Sequence, residues 1–429
     1  MENMNLIANK PVGIRFLAAS VLIWFFIFNS LAAQDLRESS SAAQPDTAVF
    51  EPYETKRSFG YHLLALPSYA VDLLAWPVGE GFRLAERKFP DQLEGERGRF
   101  GIYPLIETGV ETRTAFGGLI FNRDFLGSNH EWRVEALFGS SNYNKLDLEY
   151  YIPGFFETED EIKFNSIYYN DPMESLFLGN EAALEQETRY SVEEINARID
   201  YSLPVFEVHS VAFWGSYRNA IIRQSDTRDS SLDPFPGSLK GRTELFAAGI
   251  ALRIDLAEEE PRTYTGRRFL FNGGYHHSID DNRYAFFKYR FEWQEFIALP
   301  FLPNTRRLAF KSRLERVEPI ADKTIPFFEL PSIGDSRGLR GLRGDRYRDD
   351  KSLLFTVEYR YPMWDFVDVV LFLDEGQVFK NFNDVHLKDF HAGYGFGLHF
   401  LGSDNLSFRV EFAFSKESSR TILSISPNF

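Results

Sequence analysis

Along much of this chain apolar and polar residues alternate with a period of two. Leu406, Phe408, Val410, Phe412 and Phe414 interleave with Ser407, Arg409, Glu411, Ala413 and Ser415, and Leu423, Ile425, Pro427 and Phe429 carry the pattern to the C-terminus. Leu353, Phe355, Val357, Tyr359 and Tyr361 oppose Leu354, Thr356, Glu358 and Arg360, while Phe287, Tyr289, Phe291 and Trp293 oppose Lys288, Arg290, Glu292 and Gln294. Period two marks a β-strand with one greasy and one polar face. Strands of soluble proteins average about 5–6 residues, whereas these runs reach about ten, the length a tilted membrane-spanning strand needs. Hydrocarbon offers no partner to an unpaired backbone N–H or C=O, so a sheet spans a bilayer only when it closes on itself and turns its polar face inward. The pattern therefore predicts an all-β fold, a transmembrane antiparallel β-barrel.

From Phe100 onward the alternation gives about sixteen strands, at 101–109, 112–121, 131–140, 143–152, 160–170, 187–201, 205–222, 243–256, 264–276, 285–297, 305–318, 352–362, 366–375, 390–401, 405–415 and 419–429. An even number suits a single-chain bacterial barrel. With both termini periplasmic, the even-to-odd connections are short turns, at Leu203-Pro204, Tyr361-Pro362-Met363-Trp364 and Gly402-Ser403-Asp404-Asn405. The opposite, extracellular side then carries the long loops Asn170 to Thr188, Gln224 to Arg242 and Glu318 to Lys351. This asymmetry is usual for outer-membrane barrels.

Composition agrees. The 429 residues include 43 Phe and 20 Tyr, yet mean hydropathy is only -0.28, because half of each strand faces a polar lumen. Without cysteine the chain has no disulfides, thiolate metal sites or lipid-modified N-terminal Cys. A net charge of -15 argues against a nucleic-acid partner, which needs a basic surface.

The N-terminus resembles an export signal. Lys10 and Arg15 precede the apolar run Phe16 to Phe28, and Ser30-Leu31-Ala32-Ala33-Gln34 offers small residues for cleavage. A membrane anchor is the alternative, but the run is shorter than the roughly 20 residues of a spanning helix. The expected organisation is a signal peptide over 1–33, a disordered lead-in over 34–52, an amphipathic helical periplasmic segment over 53–98 and an outer-membrane barrel over 99–429. A loose linker is the other reading of the third segment.

One stretch of the loop before the twelfth strand is rich in arginine and glycine: Gly334-Asp335-Ser336-Arg337-Gly338-Leu339-Arg340-Gly341-Leu342, then Asp345-Arg346-Tyr347-Arg348-Asp349. Two carboxylates, Glu358 and Asp374, lie on the polar phase of the following strands. A guanidinium is permanently charged and presents a planar fork of donors, so Arg340 against Asp374 and Glu358 would pin the loop inside the lumen. Gly393, Gly395 and Gly397 fall on the same inward phase. They leave either a bare track for loop backbone or a point of sheet curvature. A phosphate-binding reading fails because no helix follows them.

These residues resemble the BamA/TamA/FhaC-like outer-membrane assembly and two-partner secretion barrels, also called bacterial surface antigen barrels. The resemblance rests on Leu339-Arg340-Gly341 with Arg346 in the loop, Glu358-Tyr359-Arg360 in the next strand, and Phe372-Leu373-Asp374-Glu375-Gly376-Gln377-Val378 after it. It implies a lumen loop locked to inner-wall partners Glu358, Asp374 and Gly376. Phe429 matches the C-terminal signal by which such barrels are recognised for insertion. Two departures stand out: Leu342 occupies a place that is often aromatic, and no segment is long enough to be a POTRA domain, as in a member stripped to its barrel. The implied function is outer-membrane biogenesis, the insertion or translocation of proteins or lipids, with a weak seam between first and last strands. The alternative is a passive porin-like channel or structural barrel. Expected partners are outer-membrane lipids, the assembly machinery and periplasmic partner or client proteins.

Enzymatic readings lack a constellation. His391 and His399 lie on inward faces but no Gly-x-Ser-x-Gly elbow accompanies them, and His276 and His277, adjacent in a strand, point to opposite faces. No catalytic residue, metal or cofactor is expected.

Overall fold

The computed structural model describes residues 100–427 apart from short connecting stretches, of which 226–240 and 258–264 are the longest. The expected segments over 1–33, 34–52 and 53–98, and Phe429, lie outside the described residues. The first half of the sheet is β1 (Phe100–Val110), β2 (Arg113–Phe125), β3 (His130–Gly139), β4 (Asn144–Pro153), β5 (Glu161–Leu176), β6 (Thr188–Val205), β7 (His209–Gln224) and β8 (Gly241–Asp255). It continues with β9 (Gly266–Ser278), β10 (Ala285–Leu299) and β11 (Arg306–Pro319). After a loop that holds the short β12 (Ser332–Ile333) and β13 (Tyr347–Arg348), it ends in β14 (Lys351–Trp364), β15 (Val367–Phe379), β16 (His391–Leu401), β17 (Leu406–Ser415) and β18 (Ser419–Pro427).

Sixteen of these strands form one antiparallel sheet in sequence order, and β12 pairs with β13 in a separate two-stranded sheet. The large sheet curls until β1 and β18 lie side by side. No hydrogen-bonded ladder joins those two strands among the described residues. The fold is a transmembrane antiparallel β-barrel with a loop folded into its lumen.

Burial runs opposite to that of a soluble sheet. On β17, Phe408, Phe412 and Phe414 stay 36–43% exposed whereas Glu411 and Ala413 are fully buried. On β15, Leu371 and Leu373 are exposed while Asp374 is buried. Outward side chains are large and apolar and inward ones carry the charges, as a wall between lipid and a filled lumen demands. Among the described residues no helix is long and apolar enough to cross a membrane.

Strand ends depart from the sequence expectation in several places; the expected turn Tyr361-Pro362-Met363-Trp364, for one, lies inside β14, where Tyr361 and Pro362 pair with Val369 and Asp368 before a register shift. β5 continues to Leu176 because Asp171-Pro172 is absorbed as a bulge, the register shifting between Asp171 and Glu174. A proline lacks the ladder donor, and a bulge is where a strand tolerates that. Leu203 and Pro204 do not form the turn after β6; they pair with Val211 and Ser210, and the chain reverses at 206–208. β15 runs on to Phe379, its final residues sheltered beneath the lumen loop, where Val378 packs with Ile333 and Leu342. The four longest connections, 177–187, 225–240, 320–350 and 380–390, leave from one end of the barrel, called here the loop rim.

Candidate functional site

The site is set by register. Cross-strand pairing lines up Thr356, Asp374, Gly393 and Ser415 in one row across β14 to β17, then Glu358, Phe372, Gly395 and Ala413, then Arg360, Val370, Gly397 and Glu411. Residues two apart share a face, so three carboxylates and three glycines converge on one patch of inner wall.

Arg340 from the loop occupies that patch and is 3% exposed. Its Nε and Nη2 donate to Asp374 Oδ2 and Oδ1 at 2.8 and 2.9 Å, a bidentate fork, and its backbone N–H adds a 3.2 Å bond to Oδ2. Nη1 donates to Glu358 Oε1 at 2.7 Å and to Glu411 Oε1 at 3.0 Å. The guanidinium carbon stands 3.5 Å from the Phe372 ring centroid, a cation–π contact of the desolvated kind. Burial opposes the charge on Arg340, but Asp374 and Glu358 outweigh it and hold the group charged well above its ordinary range. Around the clamp, Glu358 also accepts from Arg360, and His399 Nε2 lies 2.9 Å from Glu411 Oε1.

The neighbours of Arg340 seat the loop backbone. A Cβ on Gly341 would stand 2.4 Å from the Phe414 carbonyl oxygen, so only glycine permits that approach. Leu339 is fully buried with its side chain over Gly393. Gly376 leaves room for Ile333. Gly393 is the one glycine of the three on β16 that borders loop backbone; Gly395 makes space for the Phe372 ring, and Gly397 abuts Val410 and Glu411 of the adjacent strand. The bare track thus covers one position of three. Leu342 packs with Ile333, Leu339, Tyr347, Leu354 and Val378, a mainly aliphatic cluster.

Two further anchors hold the loop. Arg346 donates through Nε and Nη2 to both Glu417 oxygens at 2.7 and 3.1 Å and to the Ala182 carbonyl at 2.7 Å. Ser418 Oγ donates to the Gly341 carbonyl at 2.8 Å and Arg420 to the Leu342 carbonyl, so this side of the loop is stitched to the β17–β18 hairpin. On the other side, Glu329 in the turn Phe327–Glu329 accepts from Arg218 Nη1 at 2.6 Å and Lys288 Nζ at 2.9 Å. Burial disfavours its ionised form, but Lys288 and Arg218 overcome that and hold the carboxyl far below the usual carboxylate range.

Sequence reasoning named Arg340, Asp374 and Glu358 but missed Glu411, Phe372, Glu417 and Glu329. Glu411 and Phe372 were on the inward phase of their strands, yet only the row alignment shows that they face Arg340. Glu417 and Glu329 sit in connections without any period. The histidines are otherwise engaged: His391 stacks on Tyr347 at 3.8 Å and bonds the Asn180 carbonyl at 2.9 Å, and His276 stacks on Phe286 at 4.8 Å.

Comparison with known proteins agrees with this architecture. BamA from Haemophilus ducreyi lacking POTRA domains 1-3 superposes with a TM-score of 0.53 at 14% identity, over 77% of this chain and 69% of that one. CdiB from Acinetobacter baumannii gives 0.50 at 13% identity, over 76% and 59%. At such identities the likeness concerns the fold. A search of curated proteins finds no match. The model of the Omp85 superfamily domain matches residues 124–424, more than half of the sequence, and the chain belongs to the Omp85 superfamily.

Proposed function

We propose that this protein is an outer-membrane biogenesis barrel of a Gram-negative bacterium that inserts or translocates proteins or lipids, with the lumen loop as a reversible plug. The observation that carries the reading is the Arg340 clamp on three carboxylates from three strands. Docked, the clamp neutralises a wall that is otherwise crowded with like charge. Undocked, it leaves carboxylates facing lumen water, a state a charged lumen tolerates, and the sixteen-stranded ladder does not depend on the loop. The plug can therefore leave without the barrel unfolding.

The edges of β1 and β18 supply a second support. Among the described residues they lie together without a ladder, and an unzipped edge offers backbone N–H and C=O groups that can template an incoming strand. The exposed apolar belt fits outer-membrane lipid, and the C-terminal strand fits recognition by the assembly machinery. Clients or a periplasmic partner would approach at the end opposite the loop rim. A passive channel is the second reading, favoured by water-sized space left beside the plug along β6 to β10.

Depletion followed by envelope proteomics and lipid analysis tests the proposal. Loss of particular outer-membrane proteins, or altered lipid asymmetry, is the expected result. Solute-uptake defects with an otherwise normal envelope would replace it by the channel reading.

A further inference from the structure

The plug does not fill the lumen evenly. Arg340 and its neighbours press against β14 to β17, whereas on the β6 to β10 side a cavity of about 260 Å³ remains, lined by Arg198, Arg218, Lys288, Arg290, Glu315 and Glu329 among others. A second space of about 270 Å³ shares Asn272 and Arg290 with the first and reaches Ser210 and Arg253. Those two residues pair with each other at the ends of β7 and β8 away from the loop rim. The two spaces thus run from Glu329 toward the opposite end of the barrel.

Above Glu329 the route is closed by the turn that carries it. Phe327 packs into a cluster of Leu176, Tyr190, Val192 and Ile222, and Phe328 and Leu330 lie against both this cluster and a second one of Leu245, Tyr284, Phe286 and Val317. The turn is therefore an apolar stopper on the loop-rim side, and Glu329, caught between Arg218 on β7 and Lys288 on β10, fastens it from below. Arg348 Nη1 adds a 3.1 Å bond to the Phe327 carbonyl. This fastening shares no wall residue with the Arg340 clamp.

The charge along the route is uneven. Five basic side chains line the two spaces against three carboxylates, one of which is Glu329. If Glu329 withdraws, two carboxylates remain and Lys288 faces open space. Arg218 keeps Glu194, Arg198 keeps Asp200, Arg253 keeps Asp255 and Arg290 keeps Glu315, so the excess is small and centred on Lys288. A narrow polar passage with an excess of one sign favours the counter-ion.

We propose that the turn Phe327 to Leu330 is the shutter of an anion-preferring conduit along the β6 to β10 wall, latched by Glu329 and distinct from the Arg340 clamp. The proposal requires only that the barrel spans a membrane and holds whether or not the protein handles client chains. The ligand class is small inorganic anions, and chloride is the probe.

The test uses the full chain in planar bilayers under a KCl gradient. Wild type should open rarely. Glu329→Gln, which keeps the side-chain volume but removes the charge that holds Arg218 and Lys288, should raise conductance several-fold and move the reversal potential toward that of chloride. Adding Lys288→Gln should keep the raised conductance and return the reversal potential toward zero. Phe327→Ala, which loosens the stopper without touching the charges, should open the same route and serves if the Glu329 variant does not insert. Wild-type conductance in both Glu329→Gln and Phe327→Ala overturns the shutter. A raised conductance with cation preference overturns the anion route.

Discussion

Replacing Arg340 by alanine removes the whole clamp, and the structure sets the size of the effect. Breaking a buried ion pair by deleting one partner costs about 3–5 kcal/mol, mainly because the remaining charge is left without compensation. Of the three carboxylates, Glu358 retains Arg360 and Glu411 retains His399, so Asp374, which accepts three of the five bonds, is the one left uncompensated. That places the loss near the lower end, about 3 kcal/mol, or about a hundredfold in the docked-to-undocked ratio at about 1.4 kcal/mol per decade. The cost falls on docking of the loop, because the barrel ladders do not involve Arg340. Hydrogen exchange of the Leu342 and Asp345 amides, which bond Leu339 and Gly334 carbonyls inside the loop, should accelerate by a comparable factor while strand amides remain protected. Arg340→Lys keeps the charge but loses the fork and should fall between the two. Unchanged protection of those loop amides in Arg340→Ala would refute the clamp as the device that holds the plug.

Three other outcomes follow from the packing. Gly341→Val should displace the loop tip, since even a Cβ would meet the Phe414 carbonyl oxygen at 2.4 Å; overpacking of this kind costs about 1–3 kcal/mol, read by the same exchange measurement. Phe412→Arg on the lipid face should lower barrel stability in urea by about 2–4 kcal/mol if it lies near mid-membrane, whereas Phe412→Leu should be nearly neutral. The Glu329 latch should resist mild acid. A carboxyl depressed in the folded state gives its full stabilisation above the ordinary value of about 4.3 and loses it only as pH falls through the lower folded value. Mild acid stays above that range, so conductance at pH 5 should equal that at pH 7.

Much of this fold was legible because a membrane barrel writes its two faces directly into the chain. Strand alternation located all sixteen strands of the sheet, and the pairing of Arg340 with Asp374 and Glu358 followed from charge type and phase. The errors have physical causes. Pro172 read as part of a loop and Pro204 and Pro362 as turns, but a bulge and two hairpin ends accommodate them. Register between strands is set by neighbours far apart in sequence, so the approach of Glu411 and Phe372 to Arg340 was hidden. Glu329 lies in a proline-flanked, non-periodic segment and acquires its role from Arg218 and Lys288, 111 and 41 residues away.

The stitching of the loop to the last hairpin couples two motions that are usually pictured separately. Glu417 holds Arg346, and Ser418 and Arg420 hold the backbone beside Arg340, so β18 cannot swing away from β1 without tugging on the clamped part of the lumen loop. If the proposed seam opens, unclasping the wall and uncorking the interior would be successive stages of a single mechanical stroke, with a load at the last hairpin felt first by the arginines.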